Sequence, residues 1–260
     1  MTAMTESRRR PPISATIITL NAAAQLPECL DSLAFCEEIL VVDSGSTDET
    51  VALASSRGAR VLHREWLGFG PQKQFAVREA RHDWVLCVDA DERVTGALRQ
   101  SVEQALLTPE ATAYRFPRSN RFLGRYLRHG EGYPDLSLRL FDRRHARWSE
   151  DSVHEKVVAS GPVGTLAGDL LHDTAESIES YLAKQNRYTT LAARQACSAG
   201  KRARAGHLLL SPLLRFVKFY FVRRGFMDGI PGLAHVLVGC SNSFFKYLKM
   251  MEIQRGKSPP

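Results

Sequence analysis

Three carboxylates within four residues, Asp89, Asp91 and Glu92, follow directly on the apolar run Trp84-Val85-Leu86-Cys87-Val88. The run reads as a buried strand. If strand geometry continues past Val88, alternation with period two puts Asp89 and Asp91 on one side. Two carboxylates held together repel each other and need a cation. Hard divalent ions such as Mg²⁺ or Mn²⁺ take oxygen ligands and share them with substrate phosphates. That chemistry suits a metal-bridged diphosphate at the carboxyl end of a strand in an α/β sheet. The same Asp-x-Asp also fits a polar turn closing a strand, because Asp forms turns for local reasons.

The elements that must position these carboxylates alternate in type. Strand-like runs at 16–20, 39–42, 59–63 and 84–88 are separated by helical patterns at 22–35, 46–56 and 71–80, and Thr95 caps a further helix reaching Leu107. Ser46-Thr47-Asp48-Glu49 has the capping-box pattern. Such alternation over about a hundred residues predicts an α/β fold, a mostly parallel sheet with helices on both faces. Neither the phosphate-loop pattern nor the dinucleotide fingerprint is present, so phosphates must be held in another way. From Ala113 to His172 the pattern changes to short strands at 114–116, 137–141 and 153–158. Helices are predicted over 177–199, 206–224 and 233–251. The expected organisation is a disordered tail, 1–12, a main domain, 13–175, with halves 13–110 and 111–175, and a basic helical region, 176–260.

The formal net charge of +7 is unevenly spread. Residues 181–260 carry 14 Lys/Arg against only Asp228 and Glu252, which leaves the first 180 residues at −5. A basic tail end on an acidic body points to an anionic partner. Five cysteines form no Cys-x-x-Cys pair and no zinc spacing, and their odd number favours a reducing cytoplasm. The Arg8-Arg9-Arg10 run is followed by too short and polar a segment for an export signal.

Thr19-Leu20-Asn21, Val42-Asp43-Ser44-Gly45-Ser46-Thr47-Asp48 and Asp89-Ala90-Asp91 together resemble family 2 inverting glycosyltransferases of the GT-A fold. Tyr133-Pro134-Asp135, Arg139-Leu140-Phe141, Val153-His154-Glu155, Leu170-Leu171-His172 and Asp228-Gly229 are similar to the branch that includes bacterial lipopolysaccharide-core β-1,4-glucosyltransferases. The resemblance spans about residues 13–252 and rests on the order and spacing of the motifs.

The resemblance implies a GT-A nucleotide-diphospho-sugar transferase fold with a C-terminal helical extension, in which 13–175 is the catalytic domain, 13–110 its nucleotide-sugar half and 111–175 its acceptor half. It implies that Thr19, Asn21 and Asp43 line the nucleoside pocket, that Gln72 and Lys73 sit beside the nucleotide, and that Asp89 faces ribose and metal. Asp91 would be the main ligand of Mg²⁺ or Mn²⁺, His172 a second ligand or a contact to the diphosphate, and Glu155 the general base, with Asp135 in reserve. An inverting transfer needs a carboxylate to take the acceptor proton and a cation to stabilise the leaving diphosphate. The competing readings are structural. Asp43 could start the Gly45 turn, Lys73 could be a solvated helix lysine, and Glu155 could pair with Arg147 or Lys156. His154 and His172 could be satisfied structural histidines.

The expected reaction moves a hexose, glucose from UDP-glucose, to a saccharide of the lipopolysaccharide inner core. The setting would be cytoplasmic and peripheral on the inner membrane face. Polyprenyl-phosphate or capsule and exopolysaccharide acceptors are the nearest alternatives. A sugar nucleotidyltransferase would need a glycine-rich basic loop where Asn21-Ala22-Ala23-Ala24 stands. A non-catalytic nucleotide-sugar or lipid-binding protein is the third class. The apolar stretch from Leu208 to Val222, interrupted by Pro212, Arg215 and Lys218, is not a clean membrane span. It suggests an interfacial surface within 201–260 that docks on anionic lipid and receives a lipid-linked acceptor, or else a helical subdomain packed on its neighbours. The aromatics among the basic residues have core spacing and no nucleic-acid motif appears, so nucleic acid is not expected as a partner.

Overall fold

The computed structural model describes residues 9–149, 155–173 and 177–256. Residues 1–8 of the expected tail, and Val153 and His154, lie outside them. Within that tail, Arg10 is fixed: its guanidinium pairs with Glu37 at 3.0 Å and donates to the Phe35 carbonyl at 2.6 Å.

Four parallel strands carry the first half: β1 (Ile13–Thr19), β2 (Glu38–Asp43), β3 (Arg60–His63) and β4 (Trp84–Cys87), in spatial order β3-β2-β1-β4. β1 begins three residues earlier than the sequence suggests. Its Ser14 is admitted to the interior because the hydroxyl donates to Glu38 Oε2 at 2.5 Å. Both faces of β1, β2 and β4 are buried, as a parallel sheet covered on two sides requires, while β3 is an edge strand with no buried residue. Ile13, Ala15, Ile17, Val41 and Leu86 pack in the main core with α1 (Leu26–Ser32), α2 (Thr50–Ser56) and α4 (Gly96–Leu107). On the other face, Leu40 and Val42 meet Ala76, and Val85 and Cys87 meet Val77, all from α3 (Phe69–Glu79).

Several helix starts differ from expectation for local reasons. α1 begins at Leu26 because Pro27 occupies its first turn, where a missing N–H costs nothing. Ser46 does not cap α2, which starts at Thr50. Asp48 instead accepts from Thr50 N at 3.0 Å, and Ser46 serves the preceding turn. Thr95 caps α4 as expected, accepting from Leu98 N.

The remaining strands are β5 (Glu92–Val94), β6 (Ala113–Phe122), β7 (Arg125–Tyr126), β8 (Asp135–Asp142), β9 (Ala146–Trp148), β10 (Val157–Ala159), β11 (Val163–Thr165) and β12 (Leu170–His172). β8 joins the sheet antiparallel to β4 and to β6, and β12 runs antiparallel to β5. β9 and β10 form a separate hairpin. The sheet is therefore parallel through β4 and mixed beyond it.

The chain divides into two compact units, Met1–Arg118 with Asp135–Asp173, and Ser119–Pro134 with Thr174–Pro260. The excursion 119–134 thus groups with the C-terminal helices, whereas the sequence suggested it belonged to the acceptor half. The second unit is built on α5 (Ile178–Ser198), α6 (Ala205–Phe216) and α7 (Gly229–Gln254). A π-helical turn, Val217–Val222, follows α6, and a 3₁₀ turn, Gly225–Asp228, precedes α7.

Candidate active site

The carboxyl ends of β1 and β2 lie side by side, with Thr19 and Asp43 opposite each other in register. Asp43 is buried and takes four donors: Thr19 Oγ1 and Ser46 Oγ on Oδ1, Gly45 N at 2.9 Å and Ser46 N at 2.8 Å on Oδ2. Burial alone would raise its pKa, but the bonds from Ser46, Gly45 and Thr19 outweigh it and hold the carboxyl below the usual range. Gly45 turns the chain at φ +101, open to glycine at little cost. Four bonds fill the capacity of a carboxylate. Asn21, at φ +51, ties the two loops together: its N–H donates to Ser46 Oγ and its Oδ1 accepts from Thr47 N, both at 2.8 Å.

At the end of β4 the strand does not continue through the carboxylates. Glu92 N donates to Asp89 O at 2.9 Å, closing a turn, and Asp89 N donates to Glu92 Oε2 at 2.9 Å. Period-two alternation lapses there, and the two aspartates take different partners. Asp89 meets Lys73 Nζ at 3.0 Å through Oδ1 and Arg139 Nη2 at 2.9 Å through Oδ2. Asp91 meets His172 Nε2 at 3.3 Å.

The pairs around Asp89 extend into a run of alternating charge. Lys73 Nζ is also 3.6 Å from Glu155 Oε1, and Arg139 Nη2 is 3.5 Å from Glu92 Oε1. Arg118 lies 3.5 Å from Glu92 and binds Asp135 Oδ2 through Nε at 2.9 Å and Nη2 at 2.8 Å. The order is Glu155, Lys73, Asp89, Arg139, Glu92, Arg118, Asp135, supplied by α3, the end of β4, β5, β6, β8 and the approach to β10. Two of the cations share one platform: Lys73 Nζ is 4.8 Å and the Arg139 guanidinium 5.4 Å from the buried Trp148 ring. The negative face of the indole attracts both, and Asp89 between them offsets their mutual repulsion. Trp148 is fixed by its own Nε1, which donates to Cys87 Sγ at 3.4 Å.

Burial would raise the Asp89 pKa, but Arg139 and Lys73 dominate and hold it well below the carboxylate range. Glu92, with no exposed surface, goes the other way. Burial and the nearby Asp89 charge push it up despite Arg139 and Arg118. Arg139 is pushed further up by Asp89 and Glu92, against burial.

A cavity of about 610 Å³ opens beside this run, lined among others by Thr19, Asn21, Asp89, Asp91 and His172. Asp43, Gln72 and Lys73 stand behind its wall. Gln72 is fully buried, and its Nε2 donates to Ser44 Oγ and the Arg64 carbonyl, both at 3.1 Å. Lys73 is not the solvated helix lysine that its position suggests, and Glu155 pairs with it rather than with Arg147 or Lys156. Among the described residues no group of three or more His, Cys, Asp or Glu side chains is arranged to hold a metal ion. Asp91 and His172 form a carboxylate–imidazole pair that faces this cavity.

Sequence reasoning missed five participants. Trp66 and Phe69 line the cavity, 48% and 54% exposed, with ring centroids 4.8 Å apart and edge to face. Two aromatics flanking Leu67-Gly68 were the available signal. Arg139 was visible as a charge within an apolar strand. Trp148 and Arg118 gave no local sign.

Residues 14–158 match the family model described as Glycosyl transferase family 2. A lipopolysaccharide core biosynthesis glycosyltransferase, LpsC of Rhizobium meliloti (strain 1021), is 34% identical over 257 residues, covering 96% of this chain and 95% of its own. An uncharacterized glycosyltransferase of Rickettsia bellii (strain RML369-C) is 28% identical, over 95% of this chain and 88% of its own. Among solved structures, S. aureus TarS 1-349 in complex with UDP-GlcNAc aligns with 14% identity and a TM-score of 0.48, covering 96% of this chain and 93% of its own.

Proposed function

Because the chain belongs to glycosyltransferase family 2, we propose that it performs an inverting transfer of a hexose, glucose from UDP-glucose, to a saccharide of the lipopolysaccharide inner core. The observation that carries this reading is the cavity at the carboxyl ends of β1 and β4, with Asp91 and His172 on its wall and the charged run behind it. The name of the Rhizobium relative supports the acceptor.

The nucleoside end of the donor is assigned to Thr19, Asn21 and the exposed Trp66–Phe69 pair, since an aromatic face suits a base of any type. Asp43 acts by holding the Gly45 turn; a base N–H would reach it only in exchange for one of its four donors. Asp91 and His172 fit Mg²⁺ or Mn²⁺ as one carboxylate and one imidazole, a set such ions commonly complete with substrate phosphates and water. When bound, the ion would stabilise charge on the leaving diphosphate. Asp89 is assigned the neighbouring ribose contact. Its charge is already balanced by Lys73 and Arg139, which makes it a weaker ligand than Asp91. Lys73 and Gln72 hold the donor side of the site from behind.

Glu155 is assigned the acceptor proton. Its distance to Lys73, 3.6 Å, leaves its oxygens short of a tight hydrogen bond. Asp135 has two Arg118 nitrogens at 2.8 and 2.9 Å on one oxygen, so its lone pairs are already engaged. The test is UDP release from a panel of UDP-sugars with deacylated inner-core oligosaccharide, Mg²⁺ or Mn²⁺, and EDTA and Asp91→Ala controls. Acceptor-dependent release with UDP-glucose, abolished by both controls, is expected. Release with another sugar alone would overturn the donor, and release unaffected by EDTA would overturn the metal.

A further inference from the structure

α6 is turned inside out. Leu209 and Leu210, then Leu213 and Leu214, are 58–77% exposed, while Ser211 and Arg215 face the protein. The inward polar groups are tied down. Ser211 Oγ lies 2.7 Å from Ser243 Oγ of α7, and Arg215 Nε donates to Glu131 Oε2 at 3.0 Å. Glu131 has room because Gly239 presents no side chain: a Cβ there would stand 2.1 Å from Glu131 Oε2. In water an amphipathic helix buries its apolar stripe. Here an ion pair and a hydroxyl pair fix the opposite orientation, and no residue of the 18-residue stretch Ala205–Val222, of mean hydropathy 1.2, is buried.

The π turn extends the same stripe. In an α-helix a four-residue step overshoots a full turn by about 40°, so exposed pairs spaced by four drift around the axis. A π turn is wider, with i→i+5 bonding, and a four-residue step falls short of a full turn. The change from α to π at Val217 therefore swings Phe221 and Val222, 56% and 73% exposed, back toward the line of the leucines.

Cations frame this stripe at both ends and carboxylates are missing from it. Lys201, Arg202 and Arg204 precede it, Arg223 and Arg224 follow it, and all are exposed. Residues 181–227 contain no Asp or Glu. Two copies brought together by this face would set like charges against each other. An anionic bilayer surface meets both the leucines and the cations.

We propose that α6 and its π turn form an in-plane membrane anchor, the leucine stripe entering the acyl boundary and the flanking arginines and lysines meeting anionic headgroups. Lys218, the one charge on the outward side, reaches the headgroups along its methylene stem. The Arg215–Glu131 pair on the protein side rules out a helix surrounded by lipid. The anchor deepens the lipid-linked acceptor reading above and rests on it for its purpose, though not for its chemistry.

The test is flotation of the full chain with vesicles of phosphatidylcholine alone or with 30% phosphatidylglycerol, at low and high salt. Partitioning at least tenfold stronger onto the anionic vesicles, weakened by salt, is expected. Leu213→Asp with Leu214→Asp should lower it at least tenfold, with helicity by circular dichroism and turnover on deacylated acceptor unchanged. Leu214→Trp gives a second readout that needs no loss of stability: its added fluorescence should be quenched by brominated acyl chains. Equal partitioning onto both vesicle types, no quenching, or a concentration-dependent dimer that the Asp pair dissolves and that does not float would overturn the anchor. Nucleotide release without vesicles is measured in parallel. Release without flotation removes the anchor alone, and flotation without release supports the anchor while removing the transfer reading.

Discussion

The Lys73 ammonium sits 3.0 Å from Asp89 Oδ1, with only 7% of its side chain exposed, and its next anion is Glu155 at 3.6 Å. One cation thus links the turn after β4 to the carboxylate assigned to the acceptor proton.

Lys73→Met is expected to lower kcat/KM by about 100-fold, roughly 2.7 kcal/mol at 1.36 per tenfold. The substitution frees Glu155 and half of Asp89 from their partner while Arg139 still balances Asp89. Stability should fall less than in Arg139→Met. That change strips a partner from both Asp89 and the fully buried Glu92 and should cost about 3–5 kcal/mol, the usual penalty for an uncompensated buried charge. Urea midpoints of the two variants, read beside their kinetics, give the comparison. A Lys73→Met protein with wild-type turnover would make the contact purely structural.

Asp43→Asn tests the turn that positions the nucleoside loops. The Asp43 pKa is lowered in the folded protein, so its contribution to stability is fully present above the unfolded value, about 3.9. It is lost as pH falls through the lower folded value. The deficit of Asp43→Asn should be constant from pH 7 to 5 and narrow below about pH 4 as the wild type protonates. Denaturant titrations across that range measure it; a deficit that grows with acid would contradict the assigned sign.

Trp66→Ala removes an exposed ring from the cavity wall and leaves the charged run intact. Base stacking on an aromatic is worth about 1–3 kcal/mol. Binding lost equally from ground and transition states appears in KM. KM for the nucleotide sugar should rise about tenfold with kcat within twofold of wild type. A drop in kcat with KM unchanged would place Trp66 on the reacting end.

The parallel half of the fold was legible because strands of Ile, Val and Leu alternate with helical periods and capping signals. Thr95 acts through its nearest neighbours, which sequence reading handles well. The separation of Asp89 from Asp91 was not legible. It depends on Glu92 closing a turn and on two cations arriving from α3 and β8, 16 residues before Asp89 and 50 after it. Trp148 was hidden for the same reason: its ring gains meaning only when Lys73 and Arg139 reach it. The apolar stretch of α6 suggested an interfacial surface or else a packed subdomain, since spacing reveals an apolar face but not which way it points.

Asp91→Asn and His172→Ala bear on the metal directly. Each removes one member of the pair 3.3 Å apart and should raise the Mn²⁺ concentration for half-maximal turnover at least tenfold, with partial rescue at high Mn²⁺. Mn²⁺ binding followed by electron paramagnetic resonance, with UDP present, separates affinity from chemistry. Asp89→Asn should shift that affinity less, because Lys73 and Arg139 already occupy its oxygens. A larger effect at Asp89 than at Asp91 would reverse the assignment.

Glu155→Gln against Asp135→Asn decides the base. A general base contributes about 10²–10⁴-fold to the rate. Glu155→Gln keeps the volume and the Lys73 contact distance, and should lower kcat at least 100-fold with KM for the donor unchanged. Asp135→Asn loses its ion pair with Arg118, 25% exposed against 40%, and should change kcat less than fivefold. The Arg118 contact to Glu92 remains in that variant, so the end of the run by the cavity is undisturbed. The opposite ranking would move the proton transfer to the far end of the charged run and leave Glu155 as the partner that balances Lys73.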